Sequence, residues 1–305
     1  MHHYFQKLKN NLELGDSLSS SISTRHKALR NYLESKHPSF KDSKLIGSLQ
    51  RRTRIHPKKE GDIDVDILVI VGEFHAWTNE GISAHNAMES LHSTVNDSSR
   101  YGSLNPEQDQ PAITLNYNDR INVELVPAYI DMIGSDPSGN HLGDRGRGYW
   151  VPKNGAWEMA DYDYEAEYIT QKNEQSSGNL IPVIKILKAI KNIYFPELSS
   201  FALEILAADI IPTSVIIRKT RGYGISYPDL LLDFFIDARE KIIHPLKIPG
   251  SKSSPIFISQ KDKESILNTF ETIVNYIQLN SNLSKGEQIK AWRKLCGDHF
   301  PLTIS

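Results

Sequence analysis

The segment from Ile46 to Val71 reads IGSLQRRTRIHPKKEGDIDVDILVIV and decides the fold. Its second half is an almost continuous run of β-branched and aliphatic residues, which is typical of a buried central strand. Acidic residues occupy alternate positions at the start of this run, at Asp62, Asp64 and Asp66. Because side chains alternate between the two faces of a strand, we expect all three carboxylates on one face.

These carboxylates predict a site for a divalent cation. Like charges that lie a few ångströms apart repel one another, and burying them without compensation is costly. Oxygen ligands of this kind suit Mg²⁺, particularly where phosphates share the site. Upstream, the backbone amides around Gly47 and the hydroxyl of Ser48 can cradle a phosphate. The alternative interpretation is an edge strand with solvated acids, preceded by an ordinary turn at these two residues.

Length and composition are those of an ordinary globular protein. The 305 residues allow one large or two ordinary domains, and 39% hydrophobic and 24% charged residues are usual proportions. A net charge of −2 predicts no global attraction to nucleic acid or to an anionic membrane. The single cysteine, Cys296, excludes an internal disulfide and a cysteine-based metal site. Without an apolar signal-peptide core or a run that approaches a membrane span, we expect a cytoplasmic protein.

The spacing of apolar residues predicts a series of helices and one pair of strands. We expect the strands over residues 112–115 and 121–128, joined by a turn. The helices are expected over residues 17–36, 84–100, 180–191, 201–211, 227–243 and 262–279, the last of these being the final helix.

Two polar features accompany these elements. Glu124 stands alone among valine and leucine in the second strand of the pair, and a buried carboxylate needs a partner. That partner is either a structural salt bridge or a metal shared with the acidic strand. The loop between Ser48 and the acidic strand is basic, with Arg51, Arg52, Arg54, Lys58 and Lys59. This loop is either simply solvated or in contact with a triphosphate.

Three short motifs, taken in their order along the chain, resemble those of a known enzyme family. They are GS at 47–48, DVDILV at 64–69 and VELVPA at 123–128. This order resembles the polymerase-β nucleotidyltransferase superfamily, and the last motif narrows the resemblance to the cGAS/DncV-like nucleotidyltransferases, the bacterial oligonucleotide cyclases with a SMODS domain. The third acid is usually aspartate in that family and is Glu124 here, which can still ligate a metal. The resemblance extends over about residues 23–278.

The resemblance also covers the predicted helix at 180–191. Lys185 and Lys188 are neighbours on one face of this helix, and solvation alone explains such a pair. The family, however, has a Lys-x-x-Lys pattern followed by Ser-Ser-aromatic, and Ser199, Ser200 and Phe201 follow here. The resemblance therefore implies that Lys188 and Ser200 bind the incoming triphosphate and that Lys185 has a secondary role. Phe201 is either stacked on a base or part of the core.

The resemblance implies an α+β, two-lobed polymerase-β-like fold with a mixed sheet, a helical lobe and an N-terminal helix that braces them. Residues 1–150 are expected to form the N-terminal helix and the nucleotidyltransferase core sheet, and residues 151–305 the helical lobe. The implied catalytic residues and metal ligands are Asp64, Asp66 and Glu124, and the implied nucleotide-binding residues are Gly47, Ser48, Lys185, Lys188 and Ser200.

The implied function is Mg²⁺-dependent joining of nucleoside triphosphates into a cyclic di- or trinucleotide second messenger, with release of pyrophosphate, in bacterial anti-phage (CBASS-type) signalling. The implied cofactor is a pair of Mg²⁺ ions, for which Mn²⁺ can substitute. The expected partners are the triphosphate substrates, with a downstream effector that recognises the product and neither a nucleic-acid template nor a membrane. Two alternatives are a polymerase-β-type enzyme that acts on RNA, protein or a small molecule, and a catalytically silent nucleotide-binding module.

Overall fold

The computed structural model describes residues 1–57, 62–73, 82–109, 111–131, 148–250 and 255–303. Within these ranges the chain forms ten α-helices and seven β-strands. The helices are α1 (His2–Leu12), α2 (Asp16–Lys36), α3 (Gly47–Gln50), α4 (Ala84–Asn96), α5 (Tyr162–Gln175), α6 (Leu180–Tyr194), α7 (Ser200–Thr220), α8 (Tyr227–Lys241), α9 (Gln260–Asn280) and α10 (Lys285–Cys296). Short 3₁₀ turns lie at Gly102–Leu104 and Gly297–His299.

The strands form one mixed sheet. They are β1 (Asp42–Leu45), β2 (Ile63–Glu73), β3 (Glu107–Asp109), β4 (Ala112–Asn116), β5 (Ile121–Asp131), β6 (Gly148–Lys153) and β7 (Ala156–Ala160). Their order is β1-β2-β5-β4-β3, and β6 pairs with both β5 and β7. β2 and β5 run parallel, whereas the other pairs of described strands are antiparallel. The sheet and its helices confirm the predicted α+β class.

β2 is the buried strand that the opening segment predicts, and both of its faces are covered. Ile63, Val65 and Ile67 point into a core that also contains residues of α2 and α4. Leu68 and Ile70 point to the opposite face, into a smaller core with residues of β5 and β6. This burial on two faces explains why the apolar run becomes continuous after Asp66.

A separate core is built almost wholly from helices. It joins residues of α5 to α10 with Phe5, Leu8 and Leu12 of α1. The ring of Phe5 lies 4.9 Å from that of Trp292 and 5.4 Å from that of Phe300, measured between centroids. The two N-terminal helices therefore divide between the cores, since α1 packs with the C-terminal helices and α2 packs on the sheet.

The structure differs from several sequence expectations. β6 spans residue 150, where the boundary between the two lobes is predicted, and the sheet ends at Ala160. The β6–β7 hairpin is absent from the elements that the sequence predicts. The helix at 262–279 is not the final one, since α10 follows it. A capping box between Ser284 and Glu287 begins α10.

The helix predicted at 201–211 is α7, which continues to Thr220 with Pro212 inside it. By length and composition alone, α7 is also apolar enough to cross a membrane, contrary to the expectation that no run in the sequence approaches a membrane span. In the folded chain 67% of that apolar window is buried, as expected for a helix in the centre of a core.

Candidate active site

A cleft of about 560 Å³ opens where the sheet meets the helical core. Its walls come from α3 and the loop after it, the starts of β2 and β5, helices α6 and α7, and the last 3₁₀ turn. The lining residues are Gly47, Ser48, Arg51, Arg54, Ile55, His56, Pro57, Asp62, Asp64, Asp66, Glu124, Lys188, Ala189, Asn192, Ser200, Phe201, Glu204 and His299. Every predicted site residue except Lys185 is among them.

The parallel pairing of β2 with β5 brings the acidic residues together. Asp64 lies opposite Asn122, and Asp66 lies opposite Glu124. Burial, together with the negative charges of Asp66 and Asp64, raises the pKa of Glu124 to about 7. A hydrogen bond with Asp66 also contributes to this rise. Asp62 lies before the first residue of β2 and is exposed, so Asp64 and Asp66 are the better-placed aspartate pair.

Glycine is required at position 47 because the backbone there lies close to the side chain of Asp66. Its backbone has φ +64°, in the left-handed region that favours glycine, and a Cβ at this position would lie 2.4 Å from Oδ2 of Asp66. The amide of Ile46 donates to the carbonyl of Asp66 over 3.0 Å. The loop after Gly47 folds back on itself, since the carbonyl of Ser48 accepts from the amides of Thr53 (2.9 Å) and Arg54 (3.1 Å).

The three carboxyl groups suit a divalent cation chemically, although their side chains are not already spread as a ligand cage. Among the residues that the structure describes, no group of three His, Cys, Asp or Glu side chains is arranged to hold a metal ion. Glu124 is instead hydrogen-bonded to Asp66, and Asp64 lies 3.9 Å from the guanidinium of Arg54. A bound cation can replace the proton at Glu124 and the guanidinium charge near Asp64. The proton is readily lost, because the pKa of Glu124 is about 7.

A buried cluster of charges lies beneath the cleft. Arg51 donates from Nε to Glu204 over 2.7 Å and from Nη1 to Glu165 over 3.2 Å. The ammonium of Lys188 lies 2.6 Å from the other oxygen of Glu204. Burial favours the neutral form of Glu204, but Lys188 and Arg51 outweigh it and lower the pKa of this carboxyl. The guanidinium of Arg51 also lies 4.6 Å from the centroid of the Phe201 ring, so one face of that ring is covered.

The remaining predicted residues fall in different places. Ser200 is the first residue of α7, where the amino end of the helix reaches the cleft. Lys185 lies outside the lining, and its ammonium is 2.5 Å from Glu13. Lys58 and Lys59 of the basic loop lie outside the described residues.

Sequence reasoning did not single out Glu204, although a signal was present. Glu204 stands alone in the apolar stretch FALEILAA of α7, as Glu124 does in β5. A lone acid at such a position needs a buried partner. Arg51 was assigned with the basic loop, and only the structure reveals its burial and its two acidic partners.

Comparisons with known proteins find relatives of this chain by sequence and by fold. The model of the Second Messenger Oligonucleotide or Dinucleotide Synthetase (SMODS) domain matches residues 1–173. A probable cyclic nucleotide synthase of Bacillus cereus strain VD146 is 23% identical over 291 residues, which cover 84% of this chain and 81% of the relative.

Two solved structures have the same fold over nearly the whole chain. Vibrio cholerae DncV cyclic AMP-GMP synthase, in complex with the linear intermediate 5′ pppA(3′,5′)pG, gives a TM-score of 0.74 at 12% identity and covers 98% of this chain and 96% of its own. CdnC of E. coli MS115-1 with ATP gives 0.69 at 15% identity, with 99% of each chain covered. These similarities confirm the predicted two-lobed fold.

Proposed function

The chain belongs to the family of second messenger oligonucleotide or dinucleotide synthetases, which are nucleotidyltransferases, and we propose that it joins nucleoside triphosphates into a cyclic di- or trinucleotide with release of pyrophosphate. The observation that carries this proposal is the meeting of Asp64, Asp66 and Glu124 in one cleft with the loop at Gly47 and Ser48. Acidic residues on two neighbouring strands, beside a turn that contains a glycine, are suited to the transfer of a phosphoryl group.

The cleft has two features that suit a triphosphate at one end. Gly47 has no side chain, which leaves its backbone open, and Ser48 adds a hydroxyl. On the facing wall Ser200 begins α7, where unpaired amides and the positive end of the helix dipole favour a phosphate. The N-cap hydroxyl of Ser199 is already occupied, because it accepts from the amide of Ala202 over 3.1 Å. Ser200 is therefore the serine proposed to bind phosphate.

Asp64, Asp66 and Glu124 are the proposed ligands of two Mg²⁺ ions, for which Mn²⁺ can substitute. When bound, these cations neutralise the phosphate charge and lower the pKa of the attacking ribose hydroxyl. Glu124 has a pKa of about 7 in the free cleft, so near neutral pH it can release its proton and then accept one from that hydroxyl. A second round of joining on the linear product closes the ring, and the linear intermediate bound to the Vibrio cholerae enzyme supports such a stepwise synthesis.

The biological setting is also part of the proposal. Family membership supports a role in bacterial anti-phage signalling of the CBASS type, in the cytoplasm, where a downstream effector recognises the product. No template is needed in this scheme, because each incoming nucleotide is selected by the cleft itself.

The experiment that tests the proposal supplies Mg²⁺ and the four nucleoside triphosphates to nuclease-treated protein, with no acceptor added. We expect pyrophosphate release and conversion of triphosphates into an oligonucleotide. An absolute requirement for added RNA, protein or a small-molecule acceptor would contradict the proposal and favour another type of polymerase-β-like transferase.

A further inference from the structure

The solvent side of α7 and α8 carries a groove that is separate from the cleft. Near the loop that joins the two helices, Arg218 of α7 lies 2.6 Å from Asp233 of α8. Towards the other end, Lys241 of α8 lies 2.6 Å from Asp209 of α7. The helices are therefore antiparallel, and a groove of about 230 Å³ lies between them. Its lining residues are Ser214, Ile217, Arg218, Arg221, Tyr223, Asp233, Ile236 and Asp237.

Exposed apolar side chains line this groove. Ile217 is 45% exposed, Ile236 is 36% exposed and Tyr223 is 60% exposed. The end of α7 fixes the position of Tyr223, because Gly222 turns the chain with φ +70° and the amide of Tyr223 then donates to the carbonyl of Arg218 over 2.8 Å. Large apolar side chains grouped on a surface are typical of a contact between proteins.

Two of the four charged side chains in the groove neutralise each other. Arg218 donates from Nε and Nη2 to the two carboxylate oxygens of Asp233, over 2.6 and 2.8 Å. The hydroxyl of Ser214 also donates to Asp233. This part of the groove therefore offers no unpaired charge to a partner.

The other two charged side chains, Arg221 and Asp237, have no such partner. Neither forms a hydrogen bond or an ion pair with another side chain in the described part of the chain. Burial and the negative charges of Asp233 and Glu240 raise the pKa of Asp237, against a smaller effect of Lys241. The surroundings of Asp237 therefore favour the approach of a cation.

These two charges lie at opposite ends of the groove. Arg221 follows the last residue of α7, beside the loop, whereas Asp237 lies one helical turn beyond Asp233 and away from the loop. In this antiparallel arrangement about two helical turns separate them, with Ile217 and Ile236 between. A surface with a positive and a negative end is complementary to a copy of itself that is rotated by 180°, as in a two-fold dimer.

We propose that this groove is the interface of a homodimer, in which Arg221 of each copy pairs with Asp237 of the other across a two-fold axis. The axis passes close to Ile217, so the apolar side chains of both copies are buried at the centre and the charged pairs lie at the rim. The inference does not depend on the proposed reaction, because no residue of the groove lines the cleft.

The first test measures the mass of the native protein by analytical ultracentrifugation over a range of micromolar concentrations. We expect twice the chain mass of 34.5 kDa. Ile217→Lys should raise the dissociation constant of the dimer at least about tenfold, because it places a charge at the centre of the interface, and its unfolding midpoint should remain native. Ile243→Lys is the matched control, since Ile243 is 49% exposed and lies outside the groove.

Two outcomes of this test contradict the proposal. A mass of one chain at every concentration would overturn it and would assign the groove to a different partner. Equal dissociation constants for Ile217→Lys and Ile243→Lys would also overturn it, because the copies would then meet through another surface.

The second test exchanges charges to examine the two-fold arrangement itself. Arg221→Glu and Asp237→Arg each place like charges opposite one another at both ends of the interface, so each variant alone should have a dissociation constant at least about tenfold higher than native. In an equal mixture the two variants should form a heterodimer, because both contacts again join opposite charges. Lys219→Glu is the matched control, since Lys219 is an exposed cation in the last turn of α7 and lies outside the groove.

The mixture separates this arrangement from other effects of the substitutions. Both variants change exposed side chains, so their unfolding midpoints should remain close to native. Native-like dimerisation of either variant alone, or a mixture of the folded variants that remains monomeric, would overturn the proposal. Loss of the dimer in Lys219→Glu would overturn it as well, because the effect would then follow from the charge of the helix end and not from the groove.

Discussion

Asp66 connects the separate parts of the candidate active site. It is hydrogen-bonded to Glu124, attracts the charges of Arg54 and Arg51, and leaves no room for a side chain at Gly47. Its alternation with Asp64 along β2 places both carboxylates on the cleft. A change at this residue should therefore alter chemistry before it alters the fold.

The first prediction concerns this aspartate pair. Asp64→Asn combined with Asp66→Asn keeps the size of both side chains but removes two ligand charges. Product formation should fall by more than about a hundredfold, because metal-assisted stabilisation of the transition state is worth several kcal/mol. Circular dichroism and the unfolding midpoint should remain close to native values. Asp62→Asn is the matched control and should stay active. An inactive Asp62→Asn with an active Asp66→Asn would show that the metal pair is Asp62 and Asp64.

The second prediction separates steric closeness from backbone strain at Gly47. Gly47→Ala introduces a methyl group 2.4 Å from Asp66 at φ +64°, whereas Gly155→Ala has φ +80° and no atom within 4 Å. Both variants bear the strain of a left-handed residue, about 1–2 kcal/mol. Only Gly47→Ala should lose turnover, by about tenfold or more, as measured by pyrophosphate release. Equal turnover in the two variants would mean that the approach of Gly47 to Asp66 has no role.

At the scale of elements, parallel pairing of β2 with β5 builds the site, and α3, α6 and α7 close it. The sequence motifs identify both strands because acids interrupt apolar runs at Asp66 and Glu124. They also identify α6 and α7 by their spacing. The motifs do not specify the orientation of side chains. Lys185 and Lys188 lie on one helix, yet of these two only Lys188 lines the cleft. Side-chain direction of this kind depends on packing between elements, which periodicity does not specify.

The third prediction concerns the first turn of α5. Burial, opposed by the charge of Arg51 and reinforced by Asp161 and Glu204, raises the pKa of Glu165 to about 7. At Glu165 the folded protein therefore binds more protons than the unfolded chain between about pH 4.5 and 7, and the contribution of this residue to stability should fall as pH rises through this window. Glu165→Gln should reduce that slope by up to roughly 1.4 kcal/mol per pH unit, as measured by denaturant unfolding at several pH values.

Glu174→Gln is the control for this measurement, because Glu174 lies on the same helix but is exposed. It should leave the slope unchanged. A slope in Glu165→Gln that equals the native slope would contradict the assignment of a raised pKa to Glu165.

At the scale of the whole molecule, the two cores are tied together by the first helices of the chain. α1 joins the helical core and α2 the sheet core, so the N-terminus braces both sides of the cleft. The sequence predicts a single N-terminal helix in this role. α1 is absent from the predicted helices, because it is short and the partners of its three buried residues, Phe5, Leu8 and Leu12, lie in helices distant in sequence.

The fourth prediction tests this brace. Phe5→Ala removes a ring that packs against Trp292 and Phe300, and it should lower the free energy of unfolding by about 3–5 kcal/mol. Phe257→Ala is the control, since Phe257 is 72% exposed and its loss should have little effect. Similar unfolding curves for the two variants in denaturant would show that α1 contributes little to the helical core.

We propose that this cleft makes a cyclic oligonucleotide from nucleoside triphosphates alone. The most direct measurement is mass spectrometry of the products after phosphatase treatment, with Mg²⁺, the four triphosphates and nuclease-treated enzyme. We expect a product that resists phosphatase and has the mass of a cyclic di- or trinucleotide, and we expect none when Asp64 and Asp66 are both replaced by asparagine. Products that lose all terminal phosphates to phosphatase, and so are linear only, would contradict it.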